Sequence, residues 1–384
     1  MNASGYRSSV RRSELPAWPV ARATRFAGSL WFLAVALAPI CGSFSPARAG
    51  VVIDWVTVGD PGNVGETRTY TSGGTLTFGA VDEVFKIMKY EFTYDQYIAY
   101  LNAIDPDGSN PNGVYQSAMA ITSPTSPIRG GISRNLALPK GERYFALPNM
   151  GNKPVTTIDW WRAARVANWL HNGQPILADT DASATAPQNY GAYSVGTATS
   201  GNIVAKNPGA LYSLPTEDQW YKAAFYKGGG TDAGYWSYPT QSDVLPVQVT
   251  ANSVGDGSAG PTGNFANYNN GADWGSVSGT PLDGNLTTVG TSGGSSAYGT
   301  FDMAGNLWEA MDPGSLGTTY VVRGGRFATT LDIHLASGFR STPLASNTEP
   351  SYGFRLVTVP EPSTWAAGLA AIACGAWRLR RRVR

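Results

Sequence analysis

The chain has 384 residues, 28 Lys and Arg against 27 Asp and Glu, and a formal net charge of +1. The ends are basic, with six Arg and one acid in 1–49 and five Arg and one acid in 360–384. The stretch between them holds 17 basic against 25 acidic residues, a net of −8 that argues against nucleic acid as the natural partner. A hydrophobic content of 42% is enough for a buried core, and the two cysteines, Cys41 and Cys374, both lie in apolar terminal segments. The middle therefore has no disulfide framework, zinc–thiolate site or thiol nucleophile.

In chain order, Arg7, Arg11, Arg12, Arg22 and Arg25 form a basic region ahead of an apolar run at 27–40. Ala47-Arg48-Ala49 fits the small-x-small cleavage rule, so 1–49 reads as an export signal with Gly50 as the new N-terminus. Residues 51–63 begin with alternating apolar residues and end in turn chemistry, a strand and a loop; 67–81 reads as a hairpin around Gly73-Gly74, and 85–93 as a strand. Tyr94, Tyr97, Ile98 and Leu101 have helical spacing behind the capping residue Thr93. Residues 105–150 are rich in Pro, Gly and Asn, and the DPDGSN run at 105–110 lacks the Gly position and terminal Glu of an EF-hand, so it reads as a loop. Helices are expected at 158–173, with an apolar stripe of Trp161, Ala164, Val166, Trp169 and Leu170, and at 215–229, where Thr216 caps and Glu217 and Asp218 sit in the first turn. Residues 228–300 show little periodicity, and short strands follow at 318–328 and 351–359. Residues 50–358 form one expected domain.

The C-terminus carries Pro360-Glu361-Pro362, an apolar stretch at 363–377 and an Arg-rich end, a short segment that seats in a membrane with its arginines on the cytoplasmic side. This order resembles the PEP-CTERM sorting signal of Gram-negative bacteria. The resemblance implies an exosortase-type processing peptidase as partner, membrane attachment through 359–384, and a cell-surface or extracellular destination.

Five stretches in order carry a second resemblance: FKIMKYEFTYDQYIAYLNA (85–103), KPVTTIDWWRAARVANWL (153–170), YSLPTEDQWYKAA (212–224), YGTFDMAGNLWEA (298–310), and the closing pair RGGRF (323–327) and GFRLV (353–357). They resemble the formylglycine-generating enzyme, or sulfatase-modifying factor, family. The implied fold is α+β, irregular, low in regular secondary structure and related to C-type lectins. The resemblance also implies structural calcium, with Asn267, the Tyr268 carbonyl, Asn306 and Glu309 at the matching positions; oxygen donors of these types suit that ion.

Enzymes of this family use a cysteine pair that binds copper(I) and activates oxygen, and soft thiolates select that ion. Counted from RGGRF, those positions fall on Thr329 and His334, so copper is not expected and the oxidase chemistry is expected to be lost. His334 with Asp332 is the one alternative metal or acid–base pair, which would make the chain a metal-dependent oxidoreductase of the same superfamily. His171, the other histidine, ends a helix and reads as structural. The leading expectation is a binding or matrix protein whose groove holds peptide or glycan through Arg323, Arg326, Arg340 and Asn347, with Arg355 buried and structural. Trp236 and Trp274, in Gly-rich loops, are the expected exposed stacking platforms.

Overall fold

The computed structural model describes residues 50–69, 74–120, 130–229, 233–275, 284–314 and 317–358. The export signal read at 1–49 and the sorting signal at 359–384 lie outside the described residues.

Three helices and a set of very short strands make an α+β domain. Strand β1 (Trp55–Val58), the hairpin β2 (Glu66–Thr69) and β3 (Thr75–Phe78), and β4 (Phe85–Met88) lead into helix α1 (Tyr94–Ile104). The Thr93 side chain accepts from Gln96 N while the Gln96 side chain accepts from Thr93 N, so two amides left free at the helix start are satisfied reciprocally. Strands β5 (Ile132–Arg134) and β6 (Tyr144–Ala146) pair within the stretch expected to be irregular. Helix α2 (Trp160–His171) starts on Asp159, whose carboxylate accepts from Arg162 N at 2.8 Å. Helix α3 (Glu217–Phe225) starts on a second capping box at Thr216 and stops four residues before the expected end, because Tyr226 is already extended.

Every residue from Trp160 to Leu170 is buried, although Arg162, Arg165 and Asn168 are among them. A helix buried all round is ordinarily apolar. Here the polar residues face loop backbone that has no ladder of its own. Arg165 donates to Asn189 Oδ1 (3.0 Å) and to the carbonyls of Gly196 (3.1 Å) and Ala198 (2.7 Å). Asn168 donates to the carbonyls of Gln188 and Tyr193 and accepts from Tyr193 N. The apolar share of the helix, chiefly Trp160, Trp161 and Trp169, contributes about 1.5–3 kcal/mol per large side chain on burial.

After short pairings at β7 (Val247–Gln248) and β8 (Phe265–Ala266), the chain makes β9 (Trp308–Met311), β10 (Val321–Arg323), β11 (Tyr352–Phe354) and β12 (Val357–Thr358). One sheet has the order β1-β4-β12; the other, β10-β9-β11, is antiparallel on one side of β9 and parallel on the other. The single strand expected at 351–359 is thus two, because the chain changes sheets at Arg355-Leu356. Arg355 occupies that crossing. Its guanidinium meets Glu309 of β9 with two bonds, Nε to Oε2 at 2.5 Å and Nη2 to Oε1 at 2.6 Å, and donates to the carbonyls of Met88, Lys89 and Phe301. Trp220 Nε1 of α3 adds a third bond to Glu309 at 2.9 Å. All three side chains are buried.

Replacing Arg355 by Met leaves the buried Glu309 without its counter-charge, with Trp220 Nε1 as its remaining partner, and is expected to cost about 3–5 kcal/mol. The measurement is the urea midpoint; the double variant Arg355→Met/Glu309→Leu should recover a large part of that loss.

Candidate functional site

The turn after β10 builds a cleft of about 340 Å³, lined by Trp308, Arg326, Thr329, His334, Glu349 and Tyr352 among others. Trp308 and Tyr352 are register partners on β9 and β11, and both line the cleft. Gly325 has φ +80°, and a β-carbon there would lie 2.7 Å from the Leu335 side chain; this glycine lets the short 3₁₀ turn Asp332–Leu335 close over the strand end. Arg326 N donates to Thr329 Oγ1 at 3.2 Å and Thr329 N to the Arg326 carbonyl at 2.9 Å, which fixes the loop. The His334 ring packs on Phe339 with centroids 4.1 Å apart and on Trp308 at 5.4 Å. Burial, with the nearby Arg326 charge, holds the imidazole below its ordinary pKa.

Thr329 and His334, the positions that the family resemblance gives to the cysteine pair, therefore line one cleft. Asp332 does not join them: it lies outside the cleft, on the side of the turn where its charge is felt by Tyr238 and Tyr268. Among the described residues no three His, Cys, Asp or Glu side chains converge into a metal-binding group.

Of the four expected groove contacts, only Arg326 lines the cleft. Arg323 is 1% exposed and belongs to the core: its Nε donates to Glu217 at 2.7 Å, its Nη1 to the carbonyls of Ser337 and Phe339, and its face lies over Phe78 and Tyr221. Arg340 is drawn to the same carboxylate, with bonds of 2.9 and 2.8 Å to Glu217. Asn347 sits in a turn with its backbone N–H on the Leu344 carbonyl and is not among the cleft residues. The expected tryptophan platforms differ as well. Trp274 is buried, with Nε1 on the Leu286 carbonyl at 2.7 Å and the Lys153 ammonium over its ring; Trp236 is half-buried beneath Lys227. In both cases a lysine covers the face that a ligand would need. His171 accepts from Leu211 N through Nδ1, a loop-pinning bond.

A second, fully buried polar cluster lies under β9. Asn306 has φ +59°, and its Oδ1 accepts from Asn267 Nδ2 (3.1 Å) and Thr287 N (3.0 Å), while its Nδ2 donates to Glu91 Oε2 at 2.9 Å. Gly305 makes this possible, since a β-carbon there would stand 2.1 Å from the Asn267 carbonyl oxygen. Two buried acceptors in the cluster, Glu91 Oε1 and Asn267 Oδ1, have no hydrogen-bond partner. Burial, with the charges of Asp302 and Glu309, raises Glu91 well above the usual carboxylate range, and burial takes Asp302 to about 6. Glu309, expected as a calcium ligand, has both oxygens on Arg355 and Trp220 instead, and the Tyr268 carbonyl accepts from Gly271 N. Sequence reasoning missed Glu91; the one available signal was an acid flanked by Tyr90 and Phe92 at the end of an apolar strand.

Three solved structures are similar in fold. Treponema denticola variable protein 1 is 19% identical, with 80% of this chain and 95% of that one covered at a TM-score of 0.44. CarF is 22% identical, over 81% and 99%, at 0.42, and PvdO from Pseudomonas aeruginosa is 17% identical, over 80% and 92%, at 0.34. No curated protein matches the chain. The model of the sulfatase-modifying factor enzyme 1-like domain matches residues 62–359, more than half of the sequence and all five motif stretches. The chain belongs to that family.

Proposed function

We propose that this is an exported, surface-sorted member of the sulfatase-modifying factor family that has lost the oxidase chemistry and uses its cleft to bind a ligand. The observation that carries the reading is Thr329 and His334 on one cleft wall, in a domain with no cysteine between 50 and 359. A hydroxyl and one imidazole do not replace two thiolates at copper(I). A non-haem iron site needs a further His and a carboxylate beside His334, and the cleft offers only the exposed Glu349. What remains is a recess lined by two aromatic side chains, one guanidinium and short hydroxyls, which is the make-up of a binding site.

The reading fails if the purified protein, supplied with copper and oxygen, converts a cysteine-containing sulfatase peptide to its formylglycine form; no conversion above the copper-only control is expected. For the sorting signals, mass spectrometry of the protein from its native membrane and medium should show Gly50 as the first residue and loss of the chain beyond Pro-Glu-Pro. An intact 384-residue chain would remove the exosortase partner.

Calcium belongs to the same proposal, with Glu91 in place of Glu309 and without the Tyr268 carbonyl. Glu91 and the side-chain carbonyl of Asn267, both with a free buried oxygen beside Asn306, fit a hard cation; Glu309 is already neutralised by Arg355. Bound there, calcium would supply charge compensation and no chemistry.

The pH dependence follows from the raised acids. The folded state holds protons on Glu91 and Asp302 more tightly than the unfolded state, where Asp302 returns to 3.8. In chelator this contribution to stability is full below 3.8 and lost as pH rises through about 6. Calcium at a hundred times its dissociation constant should restore about 2.7 kcal/mol at neutral pH. Glu91→Gln should melt higher than the wild type in chelator at neutral pH and gain nothing from calcium. A wild-type melting temperature indifferent to chelator would overturn the ion.

A further inference from the structure

Resting on the reading of the cleft as a ligand site, we propose that its occupant is the free carboxylate end of a peptide. The carboxylate sits on Arg326, and the adjoining apolar side chain lies across Leu331 and Ile333.

The first argument is the state of Arg326. The other arginines around the cleft and beneath it are committed: Arg323 and Arg340 to Glu217, and Arg355 to Glu309. Arg326 places Nη1 on Ser351 Oγ at 3.0 Å, and among the described residues no carboxylate pairs with it. A guanidinium is a planar fork of five N–H donors whose geometry matches a carboxylate with two parallel bonds. Most of that fork is unused; the bond to Ser351 Oγ orients it, and the bonds between Arg326 and Thr329 fix the loop that carries it.

The second argument is the surroundings of the fork. His334, whose ring packs on Trp308 and Phe339, is a second polar group in the cleft and can exchange a hydrogen bond with the chain behind the carboxylate. Glu349, exposed on the rim, is the one acid in the cleft. It turns a carboxylate away from its own side and toward Arg326, and suits the N–H groups of a peptide.

The third argument separates a peptide from an acidic glycan. Leu331 and Ile333 are 57% and 59% exposed, on the turn that carries His334, and Leu331 lines the cleft. Leu331, a large apolar side chain offered to water in a cleft that Trp308 and Tyr352 also line, matches an apolar residue better than a hydroxylated ring. The net charge of −8 between 50 and 359 repels a polyanion as a whole, whereas a chain end brings a single negative charge to a local match. A volume of about 340 Å³ has room for a chain end and not for a long extended segment.

The test uses the full protein immobilised and a pool of hexapeptides with apolar final residues, offered as free acids and as C-terminal amides and recovered for mass spectrometry. At least tenfold greater recovery of the acids is expected. That preference should vanish in Arg326→Gln at an unchanged melting temperature, while Leu331→Ser lowers recovery of both forms. Equal recovery of acids and amides, or a preference that survives Arg326→Gln, overturns the carboxylate assignment but leaves a peptide cleft standing. Binding of galacturonate oligomers with neither peptide form retained overturns the peptide in favour of an acidic glycan. If no probe is retained above a Trp308→Ala/His334→Ala control, the ligand reading of the cleft itself fails.

Discussion

The bidentate bond between Arg355 and Glu309 is the interaction on which the rest of this domain turns. Glu309 lies in the middle of the sheet that carries the cleft, and Arg355 at the point where the chain leaves that sheet for the other. A buried ion pair is seldom a net source of stability compared with a well-packed apolar pair. Its value here is geometric. The same guanidinium accounts for the Met88, Lys89 and Phe301 carbonyls, and the same carboxylate for the indole of Trp220. One pair thereby fixes β4, β9, α3 and the loop before β9 against one another.

That pattern recurs because the fold has so little regular structure. Most of its backbone lies outside helix and sheet, and buried N–H and C=O groups must still be matched. Arg165 and Asn168 do this for the loop at 186–198, Arg323 for the turn at 337–339, and Asn267 and Asn306 for the segment at 285–287. Side chains that would be read as solvent-facing in a helical protein act here as the missing ladder partners. The cleft is a by-product of the same economy: Arg326 is the guanidinium whose neighbours do not use it up.

Much of this was legible in the sequence, and the limits are physical. The capping boxes at Thr93 and Thr216 are local, so α1 and α3 start where the residues predict. The motif order located the family, and the two positions given to the cysteine pair come together on one wall. What stayed hidden depends on partners far apart in the chain. Arg323 looks like a surface cation until Glu217, more than a hundred residues away, is seen beside it. Trp274 looks like an exposed ring until Lys153 lies over it. Strand β9 was hidden inside its own motif, since four residues between a glycine turn and an acidic loop show no alternation; all four are buried. Glu91 gave only the local signal of an acid between two aromatic residues, because its role rests on Asn306 and Asp302, which arrive more than two hundred residues later.

The crossing at Arg355 also sets an order of events in time. Strand β4 is made early in the chain, yet its second neighbour is β12, whose last residue is Thr358. The partner of Glu309 arrives in the same closing stretch. Neither of these two sheets is complete, and the buried carboxylate is not neutralised, until nearly the whole domain has been made. Such late pairing of distant segments slows folding and leaves strand edges open meanwhile.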